Sequence, residues 1–184
     1  MFIKNLILGI IAIFFSSSLN GQTSLEILSG GNSSFIIIYN LEDRFRSKIP
    51  PPRRHAFIYG LELITKKERY RIGGRSLISR KGYSYYDGNL IHYLEFSGFY
   101  DYRIANNFYA GGQIYGAKKI KGREVFVDYD LGLGISLSYD FGLIDTYVMF
   151  QHGLIQVIDN PVAFHYNQVI QLGCSIRVFE FDNN

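Results

Sequence analysis

Residues 128–142 read DYDLGLGISLSYDFG, and alternate positions fall into two chemistries. Tyr129, Leu131, Leu133, Ile135, Leu137, Tyr139 and Phe141 are large and apolar or aromatic. Asp128, Asp130, Gly132, Gly134, Ser136, Ser138 and Asp140 are small, polar or charged. A period of 2 puts these sets on opposite faces of a β-strand. Runs of this kind recur, each closed by turn residues, over 24–39, 55–65, 69–79, 90–104, 108–119, 128–142, 146–157 and 166–181. In the first run, Gly30-Gly31 predicts a bulge or kink. No heptad, long helical period or repeat of roughly 20–50 residues is present.

The connections alternate in length. Those after the second, fourth and sixth runs are short (residues 66–68, 105–107 and about 142–145), and the others are longer. Short turns on one rim and long loops on the other are the layout of an up-and-down barrel in an outer membrane. The expected fold class is therefore all-β: an eight-stranded antiparallel transmembrane β-barrel with both termini on the short-turn rim.

Alternation does not by itself separate a soluble barrel from a membrane one, because both alternate. Length and chemistry do. Tyr129 and Tyr139 share a face ten residues apart. At about 3.3 Å per residue and a tilt near 45°, that interval spans roughly 23 Å, close to the apolar band of such barrels. Tyr129, Leu131, Leu133, Ile135, Leu137 and Tyr139 are thus expected to face lipid. The other faces carry Glu26, Glu62, Arg69, Arg71, Arg75, Glu95, Asp101, Arg103, Gln113, Asp128, Asp130, Asp140, Gln151, Gln171 and Arg177. An eight-stranded lumen has room for modest side chains, and buried charges there need partners. Glu62, Arg75, Glu95, Asp130 and Arg177 are expected to form a charge network plugging the lumen; an ion path is the alternative. Two irregularities remain. Phe179 and Phe181 fall on the polar side of the last run, and His92 stands among apolar neighbours, each calling for a bulge or a rim position.

Composition sharpens this picture. MFIKNLILGIIAIFFSSSLNGQ has the charged, apolar and small-residue zones of a secretory signal, so residues 1–21 are expected to be a cleaved signal peptide and 22–184 the barrel domain. Cleavage there would leave no Cys at the mature N-terminus, which argues against lipoprotein processing. Cys174 is the only cysteine, so no intramolecular disulfide stabilises an exported chain. The net charge of +3 is too small to argue for nucleic acid. Tyr and Phe, 15 of each and no Trp, suit a β protein at a membrane interface.

The segments HYLEFSGFYDYRI, NNFYAGGQIYGAKK, DYDLGLGISLSYDF and YNQVIQLGCSIRVFEF, together with SLISRKGYSY, resemble the outer membrane protein β-barrel domain family, the PorT-like small barrels of Bacteroidota. The likeness covers essentially the whole mature chain through Gly, aromatic and alternation cues, without a catalytic signature. It departs at Ser97, where the family has Pro, and in the long PPPRR loop. It implies an eight-stranded barrel in the outer membrane and no enzymatic activity, with service to secretion as the role known for PorT itself.

Some such barrels modify lipid A, and that chemistry requires a nucleophile placed beside a base. His152 is the best candidate base, but the next residue on its face is Leu154 rather than a nucleophile. The four histidines lack metal-ligand spacing. The expectation is a non-enzymatic protein without metal or cofactor. Its partners would be outer-membrane lipid, with lipopolysaccharide in the outer leaflet, and an envelope or secretion-system protein. YSYYDG (83–88) is a candidate recognition loop, and RFRSKIPPPRR (44–54) a basic one for lipid A phosphates. The other open readings are a lipid A-modifying enzyme and a soluble exported barrel holding an apolar ligand.

Overall fold

The computed structural model describes residues 21–40, 54–81, 91–122, 127–156 and 163–181. Eight strands follow one another: β1 (Gln22–Asn40), β2 (Arg54–Lys66), β3 (Tyr70–Lys81), β4 (Ile91–Ala105), β5 (Phe108–Lys121), β6 (Tyr129–Asp140), β7 (Ile144–Gly153) and β8 (Ala163–Phe181). Each pairs antiparallel with its neighbours in sequence, and β1 closes onto β8. Closure removes both sheet edges, which is the condition for a sheet to stand in hydrocarbon.

Turn chemistry sets one rim. Asn106 takes a left-handed φ of 31° in the two-residue β4–β5 turn, and Asn107 Nδ2 donates to the Asp140 carbonyl at 2.8 Å. Asn tolerates that region better than other side chains. Gly142 (φ 93°) turns β6 into β7, its N–H donating to Asp140 Oδ1 at 2.6 Å. Lys67 N–H donates to the Tyr70 carbonyl at 2.9 Å and closes β2–β3. Thr23 lies opposite Phe181 at the same rim.

Three expectations about the strands are corrected. β1 is unbroken at Gly30-Gly31, which stay in register with both β2 and β8. Glycine serves close approach there: a Cβ at Gly30 would sit 2.3 Å from the Leu172 carbonyl oxygen. β7 ends at Gly153, where its pairing with β6 stops, not at residue 157. β3 continues to Lys81, two residues beyond the predicted end.

The two irregularities also resolve. Leu25 opposes Phe179 while Glu26 opposes Arg177, so Val178 is a bulge. A bulge inverts the face beyond it, and Phe179 and Phe181 accordingly turn outward, 60% and 50% exposed. His92 is the second residue of β4, at its long-loop end, and is half-buried.

A contrast of glycines tests the closure. Gly30→Ala forces side-chain volume against the β8 backbone and is expected to lower stability by about 1–3 kcal/mol. Gly98→Ala points into open space and should change little. Urea unfolding of the detergent-folded protein, read by far-UV circular dichroism, distinguishes the two.

Candidate functional site: the filled lumen

The outward face is apolar over most of its area. Phe57 (79% exposed), Ile135 (67%), Ile114, Leu61, Leu133, Leu137 and Ile27 all turn away from the lumen. The predicted lipid-facing strand follows the alternation, with Tyr129, Leu133, Ile135 and Leu137 exposed and Leu131 and Tyr139 half-buried. Near the short-turn rim, Tyr139 packs against Phe108 at 4.6 Å and Phe141 at 4.5 Å, and Tyr70 stacks on Tyr100 at 5.6 Å. Aromatics at a boundary with aliphatics between suit a lipid face. A soluble barrel would need this surface inside.

The inward face carries charge, at three levels spaced along β3. Arg71, Arg75 and Lys81 share one face of that strand, so at about 3.3 Å per residue they stand roughly 13 and 20 Å apart. Each recruits carboxylates from other strands.

Arg71, 2% exposed, donates through Nη1 to Asp145 at 2.7 Å and through Nη2 to Asp101 at 2.8 Å. Nη2 also meets the Ser138 hydroxyl, and the guanidinium lies over the Tyr109 ring at 4.0 Å. Lys66 adds contacts of 2.6 Å to Asp140 and 3.5 Å to Asp145. A vestibule of about 480 Å³ opens at the short-turn rim, lined by Lys66, Lys67, Glu68, Arg103, Tyr109, Asp140 and Arg177 among others. The buried Arg71 group stands beneath it.

Arg75 occupies the waist. Its Nε donates to Glu62 at 2.8 Å, and Nη1 lies 3.5 Å from Gln113 Oε1. Phe99 and Tyr147 flank the guanidinium at 4.4 and 4.9 Å. Leu28, Ile58, Leu77, Tyr147 and Met149 form a buried apolar cluster. It meets Arg75 through Met149, whose sulfur is 3.7 Å from Nη1. Leu77 lies between Arg75 and Lys81 on β3, so this apolar part of the waist separates the Glu62–Arg75 pair from the upper charges.

Lys81, fully buried, lies 2.8 Å from Glu95 and 3.4 Å from Asp130. Gln151 donates to Glu95 at 2.6 Å, Asn167 to Asp130 at 3.1 Å, and the Tyr115 hydroxyl approaches Asp130 at 3.4 Å. The Tyr115 ring lies 4.2 Å from the ammonium. With two carboxylates on one cation, Gln151 adds a neutral donor to Glu95 and Asn167 one to Asp130 Oδ2, while among the described residues Asp130 Oδ1 has no hydrogen-bond partner.

The predicted set of Glu62, Arg75, Glu95, Asp130 and Arg177 is thus divided among three places. Glu62 and Arg75 pair directly; Glu95 and Asp130 meet through Lys81; Arg177 stands apart, 3.8 Å from Glu26 and 3.3 Å from Glu180. Glu26 also accepts from Ser24 and Ser175. Three others from the polar faces (Arg69, Arg103 and Asp128) lie exposed at the rims. Lys81 escaped the sequence reading because RKGYSYYDGN resembles a loop from its first residue. The available signal was parity: Arg71, Gly73, Arg75, Leu77, Ser79 and Lys81 continue one period-2 series.

His152 faces outward, its Nδ1 3.1 Å from Gln168 Nε2 and its ring stacked on Tyr166 at 6.2 Å. Its cross-strand partners are Leu133 and Gln168, neither a nucleophile. Among the described residues, no cluster of His, Cys, Asp and Glu could hold a metal. The YSYYDG loop and residues 44–53 lie outside the described residues.

No family model and no curated protein matches the chain. Among solved structures, Neisserial surface protein A matches over 86% of this chain and 100% of its own, at 13% identity and a TM-score of 0.51. Ail, the attachment invasion locus protein of Yersinia pestis, matches over 86% and 99%, at 15% identity and 0.48. OprG from Pseudomonas aeruginosa matches over 89% and 98%, at 11% identity and 0.46. The fold is that of a small outer-membrane β-barrel. In such a barrel the apolar outward face meets lipid and the charged face is the lumen.

Removing one partner of a buried pair leaves the other charge uncompensated. Arg75→Ala is expected to cost about 3–5 kcal/mol of folding stability, and Arg75→Met combined with Glu62→Leu should recover most of it. Lys81→Met should be as damaging as Arg75→Ala. Urea midpoints of the four proteins, wild type included, check the ranking.

Proposed function

We propose that the protein is a non-enzymatic integral outer-membrane β-barrel with a closed lumen, acting through its long loops in a structural, surface-recognition or secretion-accessory role. The observation that carries this reading is the waist. The Glu62–Arg75 pair, the rings of Phe99 and Tyr147, and the Leu28, Ile58, Leu77 and Met149 side chains occupy the space through which an ion would pass. An eight-stranded barrel leaves little room beyond its own side chains. Large apolar residues in that layer raise the cost of a hydrated ion further. The loops are then what the protein offers to partners. Within this reading, the sequence likeness to PorT-like barrels favours service to an envelope secretion apparatus. The surroundings of His152 favour a structural role for that residue over lipid A modification.

Three measurements test the proposal. Membrane fractionation followed by gel electrophoresis should place the protein in the outer-membrane pellet, as a compact band that shifts on boiling. Reconstituted into planar bilayers, the wild type is expected to give no unitary conductance steps under conditions where a porin does; uniform steps would overturn the closed lumen. Replacing His152 with Asn should leave the lipid A profile of the host unchanged, and a changed mass spectrum would reinstate the enzymatic reading.

A further inference from the structure

The outer wall near the long-loop rim carries cations that neither the lumen nor the turns employ. His92 of β4 faces outward between the buried Ile91 and Tyr93. Arg80 of β3 lies directly opposite it on one side and Lys121 of β5 on the other. Opposed residues of antiparallel strands hold their Cβ atoms about 4.5–5.5 Å apart, so these residues form one row across three strands. One step nearer the middle of the barrel, Lys118 shares the outward face in register with Leu94 and Tyr129.

Lys121 reaches this face through a second irregularity. His92 opposes Lys121 while Tyr93 opposes Lys119, so Ile120 is skipped. Without that bulge the parity of β5 would turn Lys121 inward. Lys119, on the other parity, is taken by Asp128 at 2.9 Å. Among the described residues, no carboxylate lies within salt-bridge distance of Arg80, His92, Lys118 or Lys121.

Next to the row, toward the middle of the barrel, the wall is apolar and recessed. Ile78, Leu94 and Phe96 line it. Gly116 faces outward opposite Phe96, and Gly98 and Gly112 do so farther along the wall toward the short-turn rim; at each an added Cβ would meet nothing nearer than 3.6 Å. No steric need for glycine exists at these positions, and their effect is a shallow trough between flanking side chains.

Cations at the edge of an apolar wall match a ligand with an anionic head and hydrocarbon tails. We infer that Arg80, His92, Lys118 and Lys121 bind the phosphate of a phosphorylated glycolipid in the outer leaflet, with its acyl chains along the recessed wall. Arginine and lysine supply charge and donors to phosphate oxygens, and the imidazole N–H supplies another. The inference rests on the outer-membrane reading above, which places the long-loop rim at the outer leaflet.

The test compares mixed micelles of neutral detergent with lipid A and with phosphatidylethanolamine. The readout is the temperature at which the compact, unheated gel band is lost. Wild type is expected to hold its band to a temperature several degrees higher with lipid A. The combined Arg80→Gln, Lys118→Gln and Lys121→Gln variant should match wild type in phosphatidylethanolamine yet lose the lipid A increment. Should that variant not fold, Lys118→Gln and Lys121→Gln singly are each expected to lose part of it. A full increment in a folded variant, triple or single, overturns the site. An equal increment for wild type with millimolar inorganic phosphate and no lipid A would mean a free-anion site and overturns the lipid assignment. Absence of a compact band from wild type in every micelle would remove the barrel reading and this site with it; a compact band without a lipid A increment removes the site alone.

Discussion

In hydrocarbon, a backbone N–H or carbonyl without a partner costs several kcal/mol, and a sheet escapes that cost only by closing. The pairing of β1 with β8 meets this demand along 18 matched positions, from Thr23–Phe181 to Asn40–Ala163. Once the ladder is closed, alternation stops being a preference and becomes a partition. Every residue stands either in the lipid-facing wall or in the lumen, and a one-residue slip exchanges the two. Gly30 shows how tightly the seam is drawn, since the β8 backbone leaves no room for a Cβ there.

The partition makes the interior chemistry intelligible. A buried charge needs a partner, and each inward-facing cation of β3 is met by carboxylates of other strands. Arg75 is met by Glu62 of the neighbouring β2, Arg71 by Asp101 of the neighbouring β4 and Asp145 across the lumen on β7, and Lys81 by Glu95 of β4 and Asp130 across the lumen on β6. These contacts link β3 to β2, β4, β6 and β7, tying the wall across its own interior. The Arg75 layer is also where apolar bulk enters, so the waist is occupied by both a charge pair and hydrocarbon. Bulges handle the places where strict alternation would misdirect a side chain. The one at Val178 sends Phe179 and Phe181 into the aromatic rim, and the one at Ile120 sends Lys121 to the outer wall.

Strand number, strand order and the outward-facing set from Tyr129 through Tyr139 were legible in the sequence, because a period-2 pattern is local and eight copies of it leave few arrangements. The polar face was legible residue by residue for the same reason, Glu62, Arg75, Glu95 and Asp130 among its members. Their partners were not. Which carboxylate meets which cation depends on register: Glu62–Arg75 and Asp101–Arg71 are opposed on neighbouring strands, whereas Asp145 and Asp130 reach Arg71 and Lys81 across the lumen from strands far apart in the chain. Lys81 was hidden by the loop-like composition that follows it, and the Val178 bulge left only a break in parity as its trace.

The sequence by itself therefore determined the class of fold, the rim that bears the short turns and the chemistry of each face, since all three follow from neighbours a few residues apart. Tertiary structure alone decided the division of the charges into three levels, the apolar layer at the waist and the cation row of Arg80, His92 and Lys121. Each of these joins residues on different strands, and only the register of a closed ladder fixes which of them meet.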